Sequence, residues 1–146
     1  MRLYLDTCSL QRPFDSKTHV RITLEAEAVL GILALCQAGD IELVSSDVLV
    51  FEIERNPNPI RREYALQALS SAKVFVALSE PLEKRAAELV SFGFKPLDAL
   101  HLGSAETIQS DYFCTCDDRL LNKAKSHPAL KIKVVSPVDV IEEINP

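Results

Sequence analysis

The chain has 146 residues, with 16 Lys plus Arg against 21 Asp plus Glu and a net charge of −5; that length holds one domain, because soluble domains cluster at about 100–150 residues. Hydrophobic residues at 47% and charged residues at 25% suit a packed core and exclude a disordered polyelectrolyte. The acidic balance excludes a surface that is basic throughout, though not a local basic patch.

The opening MRLYLDTCSL has no charged leader followed by a long apolar stretch, and the longest apolar run, Ala28 to Cys36, is broken by Gly31 and too short to span a bilayer. A soluble, cytoplasmic protein without a membrane segment is expected. Cys8, Cys36, Cys114 and Cys116 show neither disulfide nor CxxC spacing, so reduced cysteines are expected. His101 and His127 do not stand at zinc-ligand spacing from Cys114 and Cys116.

In chain order, Arg2 to Asp6 is a short strand ending on an acid. Arg21 to Ala38 forms a helix, since Ile22, Ala26, Val29, Leu33 and Cys36 recur at three- and four-residue steps and Gly39 stops it. Ile41 to Ser45 is a second strand, and a short helix follows from Asp47 to Arg55 with Ser46 or Asp47 as its cap. The prolines of Asn56 to Pro59 break that helix, and another runs from Ile60 to Ser71. Lys73 to Leu78 is a third strand, Glu80 to Ser91 a helix up to Gly93, and Leu97 or Asp98 opens a helix to Gln109. Tyr112 to Cys116, Asp117 to Lys125 and Ile132 to Ser136 read as strand, helix and strand, with a last helix after Pro137. Five strands alternating with helices and joined by no tight hairpin predict an α/β fold: a three-layer α/β/α sandwich around a parallel five-stranded sheet, one domain over residues 1–146.

Parallel sheets bind ligands outside the carboxyl ends of their strands, where the strand order reverses. Asp6 ends the first strand and Asp117 the fourth, so their carboxylates share a crevice if those strands are neighbours. Asp98 opens the helix feeding the fourth strand, and Glu52 lies in the apolar stretch Val48 to Ile53. Each has a structural alternative: Asp98 and Asp117 or Asp118 as helix caps, and Glu52 as a residue facing solvent beside Glu54 or paired with Arg55 three residues on. Asp6 has the weakest alternative, because aspartate is depleted in strands. Glu25 falls on the apolar stripe of the long helix, either approaching the same crevice or pairing with Arg21 one turn earlier. Carboxylates gathered without histidine or clustered cysteine select a hard cation, Mg2+ or Mn2+, over zinc. Such cations take phosphate oxygens as further ligands, which points to phosphodiester chemistry.

YLDT at Tyr4 to Thr7, SSDVLVFEIER at Ser45 to Arg55, KPLDALHLGSAE at Lys95 to Glu106 and DYFCTCDDRLL at Asp111 to Leu121 together resemble the PIN-domain family of metal-dependent nucleases, which includes the toxins of VapBC-type toxin–antitoxin pairs. The resemblance covers nearly the whole chain, selects Glu52 over Glu54, and implies Asp6, Glu52, Asp98 and Asp117 as catalytic, metal-holding residues. It further implies hydrolysis of RNA by water with one or two Mg2+ or Mn2+ ions, no covalent nucleophile, an antitoxin partner and a homodimer. Thr115, Asp118 and Glu25 form a second tier beside these acids. Arg12, Lys17 and Arg21, and separately Arg55, Arg61 and Arg62, are the basic clusters available to RNA or to solvent. Two features depart from the family pattern: Cys8 stands where asparagine is common two places after the first acid, and Ser9 to Arg21 is longer and more polar than a minimal member needs. The alternatives are a PIN-fold RNA- or protein-binding module with impaired catalysis and, with less support, a phospho-receiver-like domain. The latter lacks its adjacent acids after the first strand and its lysine after the last.

Overall fold

The computed structural model describes residues 1–125 and 127–144. Strands β1 (Arg2–Leu5), β2 (Glu42–Ser46), β3 (Val74–Val76), β4 (Tyr112–Cys114) and β5 (Lys133–Val135) form one sheet in the order β3-β2-β1-β4-β5. Every pairing is parallel, with Leu3 opposite both Leu43 and Tyr112, and Cys114 opposite Val135. The order reverses between β1 and β4, which places Asp6 and Asp117 at the switch point.

The helices are α1 (Thr7–Gln11), α2 (Val20–Ala38), α3 (Asp47–Glu54), α4 (Pro59–Leu69), α5 (Glu80–Ser91), α6 (Pro96–Thr107), α7 (Asp118–Ala124) and α8 (Pro137–Ile144), with a 3-10 turn at Arg12–Phe14 after α1. Leu3, Tyr4, Leu5, Leu43, Val44, Phe113 and Cys114 are all fully buried. Consecutive residues of one strand are buried only when both faces of the sheet are covered, as the βαβ crossovers require. Tyr4 stacks on Phe113 across the β1–β4 pair at 5.2 Å, and packing of α2 on α8 and of α5 on α6 completes the outer layers. No helix among the described residues is long and apolar enough to cross a membrane.

Most sequence-predicted elements are observed within two residues of their expected bounds, and the α/β sandwich is the observed architecture. Three differences have local causes. The helix carrying Asp98 starts at Pro96, whose fixed φ suits the first helical turn. Strand pairing is shorter than the apolar runs, because the ends of the third, fourth and fifth runs turn toward helix caps. The polar stretch after Asp6 is helical: Thr7–Gln11 is capped by the Asp6 side chain, and Pro13 then holds the 3-10 turn.

Candidate metal centre

Parallel pairing of β1 with β4 sets the site. The Asp6 amide donates to the Cys114 carbonyl at 3.1 Å, and the Thr115 amide donates to Val135 at 3.0 Å. Asp6 and Thr115 therefore leave adjacent strands side by side. Asp6 is buried, and Oδ1 accepts from the Ser9 amide at 3.0 Å and from the Cys8 thiol at 3.1 Å. The Thr115 hydroxyl lies 3.5 Å from that Cys8 thiol and accepts from the Asp117 amide at 3.0 Å. One buried hydroxyl thus joins the fourth acid to the thiol that donates to the first. Burial pushes the Asp6 carboxyl up, and the nearby polar groups of Thr115, Cys8 and Ser9 work against that rise.

Asp117 caps α7, its Oδ1 accepting from the amides of Arg119 at 3.0 Å and Leu120 at 3.3 Å. The capping role expected for such a residue is real. It occupies Oδ1 and leaves the second carboxylate oxygen without a cap to make. Asp98 sits in the first turn of α6, which has no side-chain cap; the capping alternative does not describe it. Its carboxyl is raised by burial first, then by Asp117 and by Asp6, and Asp98 and Asp117 line one cleft. Like-charged groups brought together in this way raise a carboxyl pKa and are relieved by a cation.

Glu52 is held in a hydrogen-bonded chain of its own. On α3, Val48, Leu49 and Ile53 are buried, Glu52 is half-buried and Glu54 is exposed, so the helix itself turns Glu52 inward. Its Oε1 accepts from the Thr7 hydroxyl and from His101 Nε2 at 3.0 Å. His101 Nδ1 lies 2.6 Å from the Tyr4 hydroxyl, which lies 2.8 Å from Ser46 Oγ, and Ser46 in turn accepts the Leu49 amide at 3.0 Å as the cap of α3. One direction of donation satisfies every group: Leu49 to Ser46, Ser46 to Tyr4, Tyr4 to His101, His101 to Glu52. Burial pushes the Glu52 carboxyl up, but the bonds from His101 and Thr7 outweigh it and hold the carboxyl below the ordinary glutamate range. Among the described residues, no three His, Cys, Asp or Glu side chains are drawn into a ready-made metal cage. The oxygen-only donors of Asp6, Asp98 and Asp117 fit a hydrated hard cation, which keeps waters between itself and part of its protein ligands.

The second-tier residues divide. Thr115 is within the site. Asp118 is exposed and pairs with Arg21 at 2.6 Å. Glu25 is buried against Arg12 at 3.2 Å and Arg21 at 3.7 Å, so of the two placements open to it the ion pair is the observed one. That pairing also explains an acid on an apolar stripe, since a buried charge requires a partner. Several residues of the expected basic clusters have structural work. Arg12 holds Glu25, Asp15 and the Cys116 carbonyl, and Arg61 holds Asp15 and the Phe14 carbonyl. Lys17 donates to Pro13, Arg62 donates to Asn56, and Arg55 lies over the Phe51 ring at 4.2 Å.

Next to Asp98 and Asp117 lies a cleft of about 130 Å³ whose rim carries Lys95, Arg119 and Lys123, cations that neither expected cluster includes. A larger groove of about 280 Å³ between α2 and α4, lined by Leu30, Leu33, Tyr64 and Gln67, carries no charged side chain. A third depression, of about 440 Å³, is lined by Lys125, Lys133, Asp139, Glu142 and Glu143 near β5 and α8, away from the strand-end aspartates. His101 and Tyr4 were also not legible as site residues. The one available signal was that His101 stands three positions after Asp98, on the same side of α6.

A parallel sheet with this order and aspartates at its switch point is the architecture of PIN domains. The PIN domain family model matches residues 3–126, and the chain belongs to that family. Similar folds include the FitAcB crystal structure from Neisseria gonorrhoeae, at 16% identity and TM-score 0.58 over 93% of this chain and 98% of that one. VapBC2 from Rickettsia felis, solved with a DNA fragment from its promoter, is similar at 12% identity and TM-score 0.60, with coverage of 93% and 98%. PAE2754 from Pyrobaculum aerophilum is similar at 15% identity and TM-score 0.54, covering 99% and 98%. No curated protein matches the chain by sequence.

Proposed function

We propose that this PIN-domain chain is a divalent-metal-dependent endoribonuclease, with Mg2+ or Mn2+ as cofactor, and that it acts as the toxin of a toxin–antitoxin pair. The observation that carries the reading is that Asp6 and Asp117 follow the carboxyl ends of the adjacent strands β1 and β4 and that Asp98 lines one cleft with Asp117. Those three would hold the cation, with Glu52 poised beside them. When bound, a hard cation acidifies water and neutralises charge developing on the phosphoryl oxygens. The chain's own contribution is positional. Cys8 and the Ser9 amide orient Asp6, Thr115 and the cap of α7 orient Asp117, and His101 with Thr7 holds Glu52 ionised. Cys8 supplies a donor to Asp6 from the position where asparagine is common in the family. An antitoxin partner is supported by the likeness to FitAcB and VapBC2, and a homodimer by the family resemblance.

The test is cleavage of a labelled single-stranded RNA with Mg2+, with Mn2+ and with EDTA, by the wild-type chain, by Asp6→Asn and by Asp98→Asn. Both substitutions keep side-chain shape and remove a charge. Cleavage is expected only with metal and should fall at least about 100-fold in each variant, the scale lost with one electrostatic group at a reacting centre. Equal cutting by wild type and Asp98→Asn sinks the proposal.

A further inference from the structure

The cations paired with carboxylates are spread over the surface: Arg2, Arg12, Arg21, Arg61, Lys84, Arg85 and Lys133 all have ion-pair partners. Lys95, Arg119 and Lys123 have none among the described residues, and all three line the one cleft that also holds Asp98 and Asp117. Their placement is built. Lys95 is the residue before α6, Arg119 lies in the first turn of α7, and Lys123 is one turn further along α7. Lys123 Nζ donates to the Gly93 carbonyl at 2.6 Å and lies 5.4 Å from the Phe94 ring centre. An ammonium has three donors, so this anchor leaves Lys123 donors for a ligand. Gly93 makes room for it: φ there is +99°, and a Cβ would stand 2.6 Å from Lys123 Nζ.

An aromatic surface adjoins the cations. Phe92 is 45% exposed and directly precedes Gly93. Its ring leans on His127 at 5.9 Å, and His127 also packs on Phe94 of the cleft wall at 5.3 Å. Unpaired cations beside an exposed, laterally supported ring are what an unpaired nucleic-acid strand requires, since its phosphates seek charge and its bases seek a face on which to stack. A duplex hides those faces.

We propose that Lys95, Arg119 and Lys123 form the phosphate track of this chain, and that Phe92 is a stacking platform for a base of a single-stranded substrate passing from the α5–α6 turn to the acidic cleft. The proposal rests on the nuclease reading for its substrate and adds where that strand lies. Neither basic cluster expected from the sequence forms this track.

Binding is measured by fluorescence anisotropy with a labelled single-stranded RNA and with its duplex, in EDTA at low ionic strength so that no strand is cut. The wild-type chain should prefer the single strand. The double variant Lys95→Ala with Arg119→Ala should bind it at least about 10-fold more weakly. The slope of log affinity against log salt should become shallower by about 1.4, at roughly 0.7 per phosphate contact on a single strand. Phe92→Ala should weaken single-strand binding about 10-fold with the salt slope unchanged, and Phe92→Trp should restore it, because stacking is a contact without charge. Lys73→Ala, before β3 at the opposite end of the sheet, serves as the control and should bind as wild type. Thermal melts confirm that each variant is folded. An unchanged salt slope in the double variant, a duplex preference, or a loss of slope on replacing Arg55 and Arg62 instead overturns the track. If metal-dependent cutting persists while the rim variants bind as wild type, the track alone falls; if the strand binds through the rim but is never cut, the nuclease reading alone falls.

Discussion

Asp98 is half-buried with Asp117 and Asp6 facing it, and its carboxyl therefore keeps a proton to higher pH in the folded chain than in the unfolded one. A raised folded pKa means that the contribution to stability is greatest below the ordinary aspartate value of about 3.9 and is lost as pH rises through the folded value. Asp98→Asn should then raise the melting temperature at pH 7, by roughly 2–4 °C if about 1 kcal/mol of repulsion is removed. The gain should vanish near pH 3. Thermal melts of both proteins across that range check the sign, and a variant less stable than wild type at pH 7 contradicts it. Tyr4 shows the opposite dependence on shape and polarity. Its phenol is fully buried between Ser46 and His101, so Tyr4→Phe leaves His101 Nδ1 without its partner and should cost about 1–3 kcal/mol by urea denaturation. At this scale the sequence exposed the acids but not their supports. An aspartate at a strand end is anomalous on its face, whereas a tyrosine in a strand and a histidine in a helix are ordinary until their hydroxyl and ring nitrogens are seen to meet.

Between elements, α5 and α6 are joined by a pair that sequence spacing does not reveal. Arg85 Nε and Nη2 reach the two oxygens of buried Glu106 at 2.7 and 3.1 Å, and Nη2 also donates to the Ala129 carbonyl at 2.6 Å. Glu106 accepts the Lys131 amide at 2.8 Å as well, so one carboxylate ties α5, α6 and the segment before β5 together. Arg85→Ala should cost roughly 3 kcal/mol, because it strands a buried carboxylate. It should also weaken the cleft, whose walls come from the turn between α5 and α6, the start of α6, and α7. Urea unfolding measures the first effect, and amide exchange at Gly93 and Phe94 measures the second. The long helices were legible because an apolar repeat of three and four residues is visible over several turns. Thr7–Gln11 was not, because five residues show no period, and its start depends on the Asp6 side chain turning back to the Ser9 amide.

For the whole molecule, the proposed function predicts that a divalent cation binds the folded chain and not the unfolded one. Mn2+ at about 100 times its dissociation constant should add about 2.7 kcal/mol of stability, or roughly 5–10 °C in melting temperature for a chain of this size. The double variant Asp98→Asn with Asp117→Asn should show no such shift. Calorimetric melts with and without Mn2+ test this independently of any cleavage. The sequence by itself determined the element order, the parallel α/β class and the positions of the strand-end acids, since periodicity, capping and anomalous polar residues are properties of neighbours along the chain. Only the tertiary structure decided that β1 lies beside β4, that Glu25 is held by Arg12 and Arg21, that Glu52 is clamped by His101, and that Lys95, Arg119 and Lys123 meet at one cleft. Except for Arg21 and Glu25, one helical turn apart, these groups are distant in sequence, and their partnership is set by the order of strands in the sheet and by which helix faces are buried against one another.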